Sequence, residues 1–126
     1  MVTDPVAVLI VDDQAPFRRA ARAVVTATPG FEVVGEAESG EEAVDLAAAL
    51  HPGLVLMDIN LPGINGIEAT RRITAAEPTT VVMLLSTYEA DDLPFDRDGS
   101  GASAYVHKEH FGPDVIRDLW AAQRPG

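Results

Sequence analysis

Val6-Ala7-Val8-Leu9-Ile10-Val11-Asp12-Asp13 is an unbroken apolar run closed by two acids. A run this short and this rich in β-branched side chains reads as a strand buried on both faces. An acid has no place inside such a strand, so Asp12 and Asp13 belong at its C-terminal end. The pattern recurs where Leu54-Val55-Leu56-Met57 is closed by Asp58. Strands of this kind belong to parallel sheets covered by helices, and ligands of open α/β sheets bind at the carboxyl ends of the strands. Three carboxylates meeting there repel one another unless a cation joins them. The usual cation is a hard divalent ion held by oxygen ligands.

Outward from these runs the chain alternates. After the first strand, a helix is expected over about Ala15–Thr28, with Phe17, Ala20, Ala21, Val24 and Val25 on its apolar face. Pro16 suits its first turn and Pro29-Gly30 stops it. A second strand covers about Glu32–Glu36. Ser39-Gly40-Glu41-Glu42 reads as a capping box opening a helix to about Leu50, with Val44, Ala47 and Leu50 inward. After the third strand, Pro62-Gly63 marks a turn, and Asn65-Gly66-Ile67-Glu68 starts a helix ending near Ala76. Thr80–Leu85, nearly all apolar, is expected to be a central strand. Ala104–His107 forms a fifth strand, and the last helix carries Val115, Ile116, Leu119 and Trp120 on its inner side. The expected fold is thus α/β, a doubly wound parallel sheet of five strands with helices on both faces. Residues 89–101 fit this scheme poorly. Pro94, Gly99, Gly101 and several aspartates lie there, so the fourth of five helices, about residues 90–98, is expected to be short or disordered.

The chain has 126 residues, which suits a single domain over 1–126. It has no cysteine, which removes disulfides, zinc–thiolate sites and thiol nucleophiles. Its formal net charge of −11 argues against direct nucleic-acid binding. No apolar stretch reaches the roughly 18–20 residues of a membrane span, so a cytoplasmic protein with no membrane contact is expected. The histidines His51, His107 and His110 have no metal-ligand spacing and are expected at the surface.

Four segments in order at strand ends now resemble the receiver domain of bacterial two-component response regulators. They are Asp12-Asp13, Met57-Asp58-Ile59-Asn60-Leu61-Pro62-Gly63, Ser86-Thr87-Tyr88, and Gly101 through Lys108. Gly66-Ile67-Glu68-Ala69-Thr70-Arg71-Arg72-Ile73 and Leu85-Ser86-Thr87-Tyr88 look most like LuxR/NarL-type receivers. The resemblance implies a flavodoxin-like sheet of order 2-1-3-4-5. It also implies a phosphoryl group passed from a histidine kinase or phosphotransfer protein to one aspartate, with Mg²⁺ required and Mn²⁺ as a substitute. Asp58 matches the phosphoacceptor. Asp12, Asp13, Asp58 and the backbone carbonyl of Asn60 match the metal ligands. Lys108 matches the cation that contacts the phosphoryl group, Ser86 the switch hydroxyl, and Tyr105 the switch aromatic. Asn60, Thr87 and Tyr88 match neighbours that tune the phosphoaspartate lifetime. Output to a protein partner, or through a homodimer, is implied at the face of the fourth helix, fifth strand and last helix.

The chemistry agrees with the resemblance. A carboxylate is a poor nucleophile toward a phosphate dianion, and a bridging divalent cation removes the repulsion. Lys108 offers a compact charge to another phosphoryl oxygen. The chain departs from the family's common pattern at Glu109, where proline often follows the lysine. Rival readings are a phosphorylation-independent binding module of the same fold and the N-terminal fragment of a DNA-binding response regulator. A third rival, a phosphohydrolase resembling the haloacid dehalogenase family, wants Asp-x-Asp where this chain has Asp58-Ile59-Asn60. On this reading the chain is a phosphoacceptor switch and no enzyme in the ordinary sense.

Overall fold

A computed structural model describes residues 4–87 and 101–123. Its strands are β1 (Val6–Val11), β2 (Phe31–Ala37), β3 (Leu54–Asp58), β4 (Val81–Ser86) and β5 (Ala104–His107). Its helices are α1 (Ala15–Thr26), α2 (Gly40–Leu50), α3 (Gly66–Ala76) and α4 (Pro113–Gln123), with a 3₁₀ turn at Lys108–His110. The strands pair in the order β2-β1-β3-β4-β5, and every pair is parallel. Four α-helices lie among the described residues. The short fourth helix expected at 90–98 falls outside them, so the last helix is α4 here.

Strand alternation divides the apolar residues between two cores. Leu9, Val11, Val55, Met57, Val82 and Leu84 point to one face, where Ala43, Ala47, Ile67, Ala69 and Ile73 of α2 and α3 cover them. Val8, Ile10, Leu54, Leu56, Met83 and Leu85 point to the other, under Ala21 and Val25 of α1 and Ile116 of α4. Every residue of β3 and β4 is buried, as the unbroken apolar runs imply. Phe31 meets Trp120 edge to face at 5.9 Å, closing the second core at its lower end.

Local chemistry sets the element ends. Ser39 Oγ accepts from the Glu42 N–H at 3.1 Å, as a capping box requires. The return bond differs, because Glu42 Oε1 accepts from the Glu38 N–H at 2.6 Å. Asn65 caps α3 by accepting from the Glu68 N–H at 2.9 Å. Helix α1 stops at Thr26, short of the expected Thr28, because Thr28 Oγ1 donates to the Val24 carbonyl and Pro29 follows. Ala20 and Leu50 are exposed, and Ala43 takes the inward place expected of Leu50. Strand β2 carries a bulge, since Val8 pairs with Val33 but Leu9 with Gly35. The extra residue, Val34, turns outward. Asp58 and Ser86 are the last residues of their strands, one position beyond the expected ends.

Candidate functional site

The sheet order changes direction between β1 and β3. From β1 the chain first builds outward to β2, then returns to place β3 on the opposite edge of β1. Helices leave such a point on opposite faces, and a cleft opens at the carboxyl ends of the two strands. Asp12 and Asp13 follow β1, and Asp58 ends β3, so topology alone brings the three together. One carboxylate oxygen from each lies within 4.8 Å of the others. Asp12 and Asp58 are buried, and Asp13 is exposed.

Asp12 is held at its main-chain N–H and carbonyl and at both carboxylate oxygens. Its N–H donates to the Ala37 carbonyl at 3.0 Å, extending the β1–β2 ladder. Its Oδ1 accepts from the Gln14 N–H at 2.8 Å, and its Oδ2 from Lys108 Nζ at 2.8 Å. Its main-chain carbonyl accepts from Arg18 Nη1 at 2.7 Å. Arg18 is in turn held by Glu36 at 3.3 Å and Glu38 at 3.5 Å. Asp58 is held more loosely. Its Oδ1 lies 3.6 Å from Lys108 Nζ and accepts a long 3.4 Å bond from the Asn60 N–H. Burial and the Asp12 carboxylate push Asp58 up to about 6, while Lys108 and the Asn60 N–H pull the other way and Asp13 adds a small upward push.

A cleft of about 210 Å³ opens over these groups, lined by Asp13, Gln14, Asp58, Asn60, Thr87 and Lys108. That is smaller than the roughly 300–1,000 Å³ of organic-ligand pockets, and it suits a small ion and a phosphoryl-sized group. The donor set consists of three carboxylates, and neither sulfur nor imidazole belongs to it. Three carboxylates against one ammonium leave a negative surplus. These are the properties that Mg²⁺ selects, so the residues fit that ion.

Ser86 sits fully buried at the end of β4, in register with His107. Tyr105 pairs with Leu84 and packs against the α2–α3 core. By strand alternation, Ser86 and Tyr105 share that face. Thr87, one residue on, is exposed and reaches the cleft. Tyr88 lies outside the described residues.

Three contributors escaped the sequence reading. Arg18 clamps the Asp12 carbonyl only because β1, α1 and β2 meet, and nothing local signals it. Phe17 carries the Lys108 ammonium 4.3 Å from its ring centroid. Its place at the N-terminal end of the α1 apolar stripe was the available clue. His107, expected at the surface, is half-buried there. Its Nδ1 accepts from the Glu109 N–H at 3.1 Å, so Nε2 carries the proton and donates to the Thr87 carbonyl at 2.8 Å. His51 and His110 are exposed as expected.

A doubly wound sheet of order 2-1-3-4-5, with three converging acids and a lysine at the switch point, defines a receiver domain. The chain belongs to the response regulator receiver domain family, which matches it over residues 8–119. It is 38% identical over 119 residues to the transcriptional regulatory protein DegU of Brevibacillus brevis, an alignment covering 94% of this chain and 50% of that protein. Among solved structures it resembles a LuxR-family two-component response regulator from Aurantimonas sp. SI85-9A1. The TM-score is 0.84 at 29% identity, over 95% of this chain and 86% of that one. It also resembles the response regulator domain of Thermotoga maritima CheB, with a TM-score of 0.83 at 31% identity over 97% and 98%. The chain thus spans about half the length of a curated relative such as DegU. It is a receiver of two-component signalling, a family of phosphoacceptor switches that work with histidine kinases or phosphotransfer proteins. No helix among the described residues is long and apolar enough to cross a membrane.

Proposed function

We propose that Asp58 accepts a phosphoryl group from a histidine kinase or a phosphotransfer protein, and that the acyl phosphate switches the conformation of the chain. One observation carries this reading. Asp58 is a buried strand-end carboxylate facing an open cleft, with Lys108 Nζ at 3.6 Å and two further acids within 4.8 Å. Asp12, Asp13, Asp58 and the Asn60 carbonyl are the groups that would hold Mg²⁺, or Mn²⁺ in its place. The ion, when bound, offsets the repulsion between the attacking carboxylate and the incoming phosphate.

The Asp58 carboxylate oxygen forms the new bond to phosphorus. The P–N bond of the phosphohistidine breaks, and its electron pair leaves with the imidazole, which takes up a proton. Lys108 then exchanges part of its pairing with Asp12 for a phosphoryl oxygen. Ser86 donates its hydroxyl to another, and the movement leaves space on the α2–α3 face for Tyr105. Asn60 and Thr87 line the cleft mouth and set water access to the acyl phosphate, a role that Tyr88, next in sequence, shares. The change is read by a protein partner or a second copy at β5, an edge strand, and α4. A cytoplasmic location goes with this role.

Intact mass after incubation with acetyl phosphate or phosphoramidate and Mg²⁺ tests the proposal, beside Asp58→Asn and a purified kinase as second donor. One added phosphoryl group, dependent on Mg²⁺ and absent in Asp58→Asn, is the expected result. No gain from any donor would reduce the chain to a receiver-shaped binding module.

A further inference from the structure

Lys108 reaches the site from the end of β5, across the sheet from Asp12, and a lysine side chain has four rotatable bonds to place one ammonium. Two carboxylates compete for it at 2.8 and 3.6 Å. A third surface touches it, the Phe17 ring, whose centroid lies 4.3 Å from Nζ. That distance is well inside the range of a cation–π contact, and the ammonium is largely shielded from water. Phe17 is no isolated surface ring. It stands at the N-terminal end of the α1 stripe that continues through Ala21 and Val25, where the core ends and the cleft begins. Its ring lies 6.2 Å from that of Phe111, which follows the 3₁₀ turn that begins at Lys108. One side chain thus touches both the lysine's charge and the chain segment carrying the lysine.

We infer that Phe17 is a positioning residue for Lys108. The ring is the floor on which the ammonium pivots from Asp12 toward the phosphoryl group on Asp58. The inference rests on the phosphoacceptor reading of Asp58. The carboxylates alone hold the lysine at Asp12, the shorter contact. The π face attracts the charge without offering a particular oxygen, so it retains the ammonium in either position. An aliphatic residue of similar volume would fill the core but leave the ammonium to Asp12 and water.

The test compares the wild type with Phe17→Leu, which keeps apolar bulk, and Phe17→Tyr, which keeps the π face. Circular dichroism and thermal melting establish that each variant folds. The first readout is NMR of the Lys108 side chain. Ring current should shift its terminal methylene and ammonium signals upfield in the wild type and Phe17→Tyr, and not in Phe17→Leu. The second readout is the rate of Mg²⁺-dependent Asp58 phosphorylation by phosphoramidate. It should fall about 3- to 10-fold in Phe17→Leu, as expected for loss of a shielded cation–π contact, and recover in Phe17→Tyr. A phosphorylated wild type with an equal Leu variant overturns the inference alone, as does an unshifted lysine in the wild type. A wild type that takes no phosphoryl group overturns the phosphoacceptor reading and this inference with it.

Discussion

Asp58 takes up its proton at a higher pH in the folded protein than in the unfolded chain, because burial and Asp12 disfavour its charged form. Between the ordinary value of 3.8 and about 6 the native state therefore binds more protons than the unfolded one. The cost of the charge is fully present above about pH 6 and is relieved as pH falls toward 4. In metal-free buffer, Asp58→Asn should stabilise the protein at pH 7.5 by on the order of 2 kcal/mol, an advantage that vanishes near pH 4. Urea titrations of both proteins across that window check it. Lys108 works in the other direction, since Asp12 is fully buried and depends on it. Lys108→Met should cost about 2–3 kcal/mol in chelator, because it strands a buried carboxylate. The loss should shrink when Mg²⁺ is added, and chemical denaturation with and without the ion would show it.

At the scale of elements, the N-terminus of α3 is pressed against the backbone of Asp58. The Gly66 N–H donates to the Ile59 carbonyl at 2.9 Å, and a Cβ at Gly66 would collide with the Asp58 carbonyl oxygen. Gly66→Ala should therefore cost about 1–3 kcal/mol of overpacking strain and also slow Asp58 phosphorylation, because relief requires the β3 end to move. Paired denaturation and phosphorylation measurements separate the two effects. Ser39→Ala, at the start of α2 and away from the cleft, makes the contrast. Loss of its bond to the Glu42 N–H should lower stability by about 1 kcal/mol with the phosphorylation rate unchanged. Gly63 has a φ of 73° in the turn between β3 and α3, a conformation that favours glycine, so the Pro62-Gly63 pair is a true turn signal.

For the whole molecule, two cores share one sheet, and the site lies at the rim where both end. A ligand bound only by the native rim stabilises the entire fold by mass action. Mg²⁺ at 100 times its dissociation constant should add about 2.7 kcal/mol. That gain should disappear in Asp13→Asn, which removes the exposed carboxylate of the three without opening the core, and differential scanning calorimetry would record it. The alternation of apolar runs and helix stripes was enough to determine the strands, the doubly wound class and the acids at the strand ends. It was enough because burial on both faces excludes charge from a strand interior, which is a local constraint. The Ser39 cap and the helix start at Asn65-Gly66-Ile67-Glu68 were legible because they too are local in sequence. Ala20 and Leu50 were misplaced because their burial depends on how far each helix rotates against the sheet. Periodicity alone does not set that angle. The Val34 bulge, the His107 bridge to Thr87 and the Phe17 contact with Lys108 join residues distant in sequence, and Arg18, six residues from Asp12, is steadied by Glu36 of β2 and Glu38 just after it. They exist only once all five strands are paired, so the sequence by itself determined which acids close the buried strands, and the tertiary structure decided what surrounds and holds each of them.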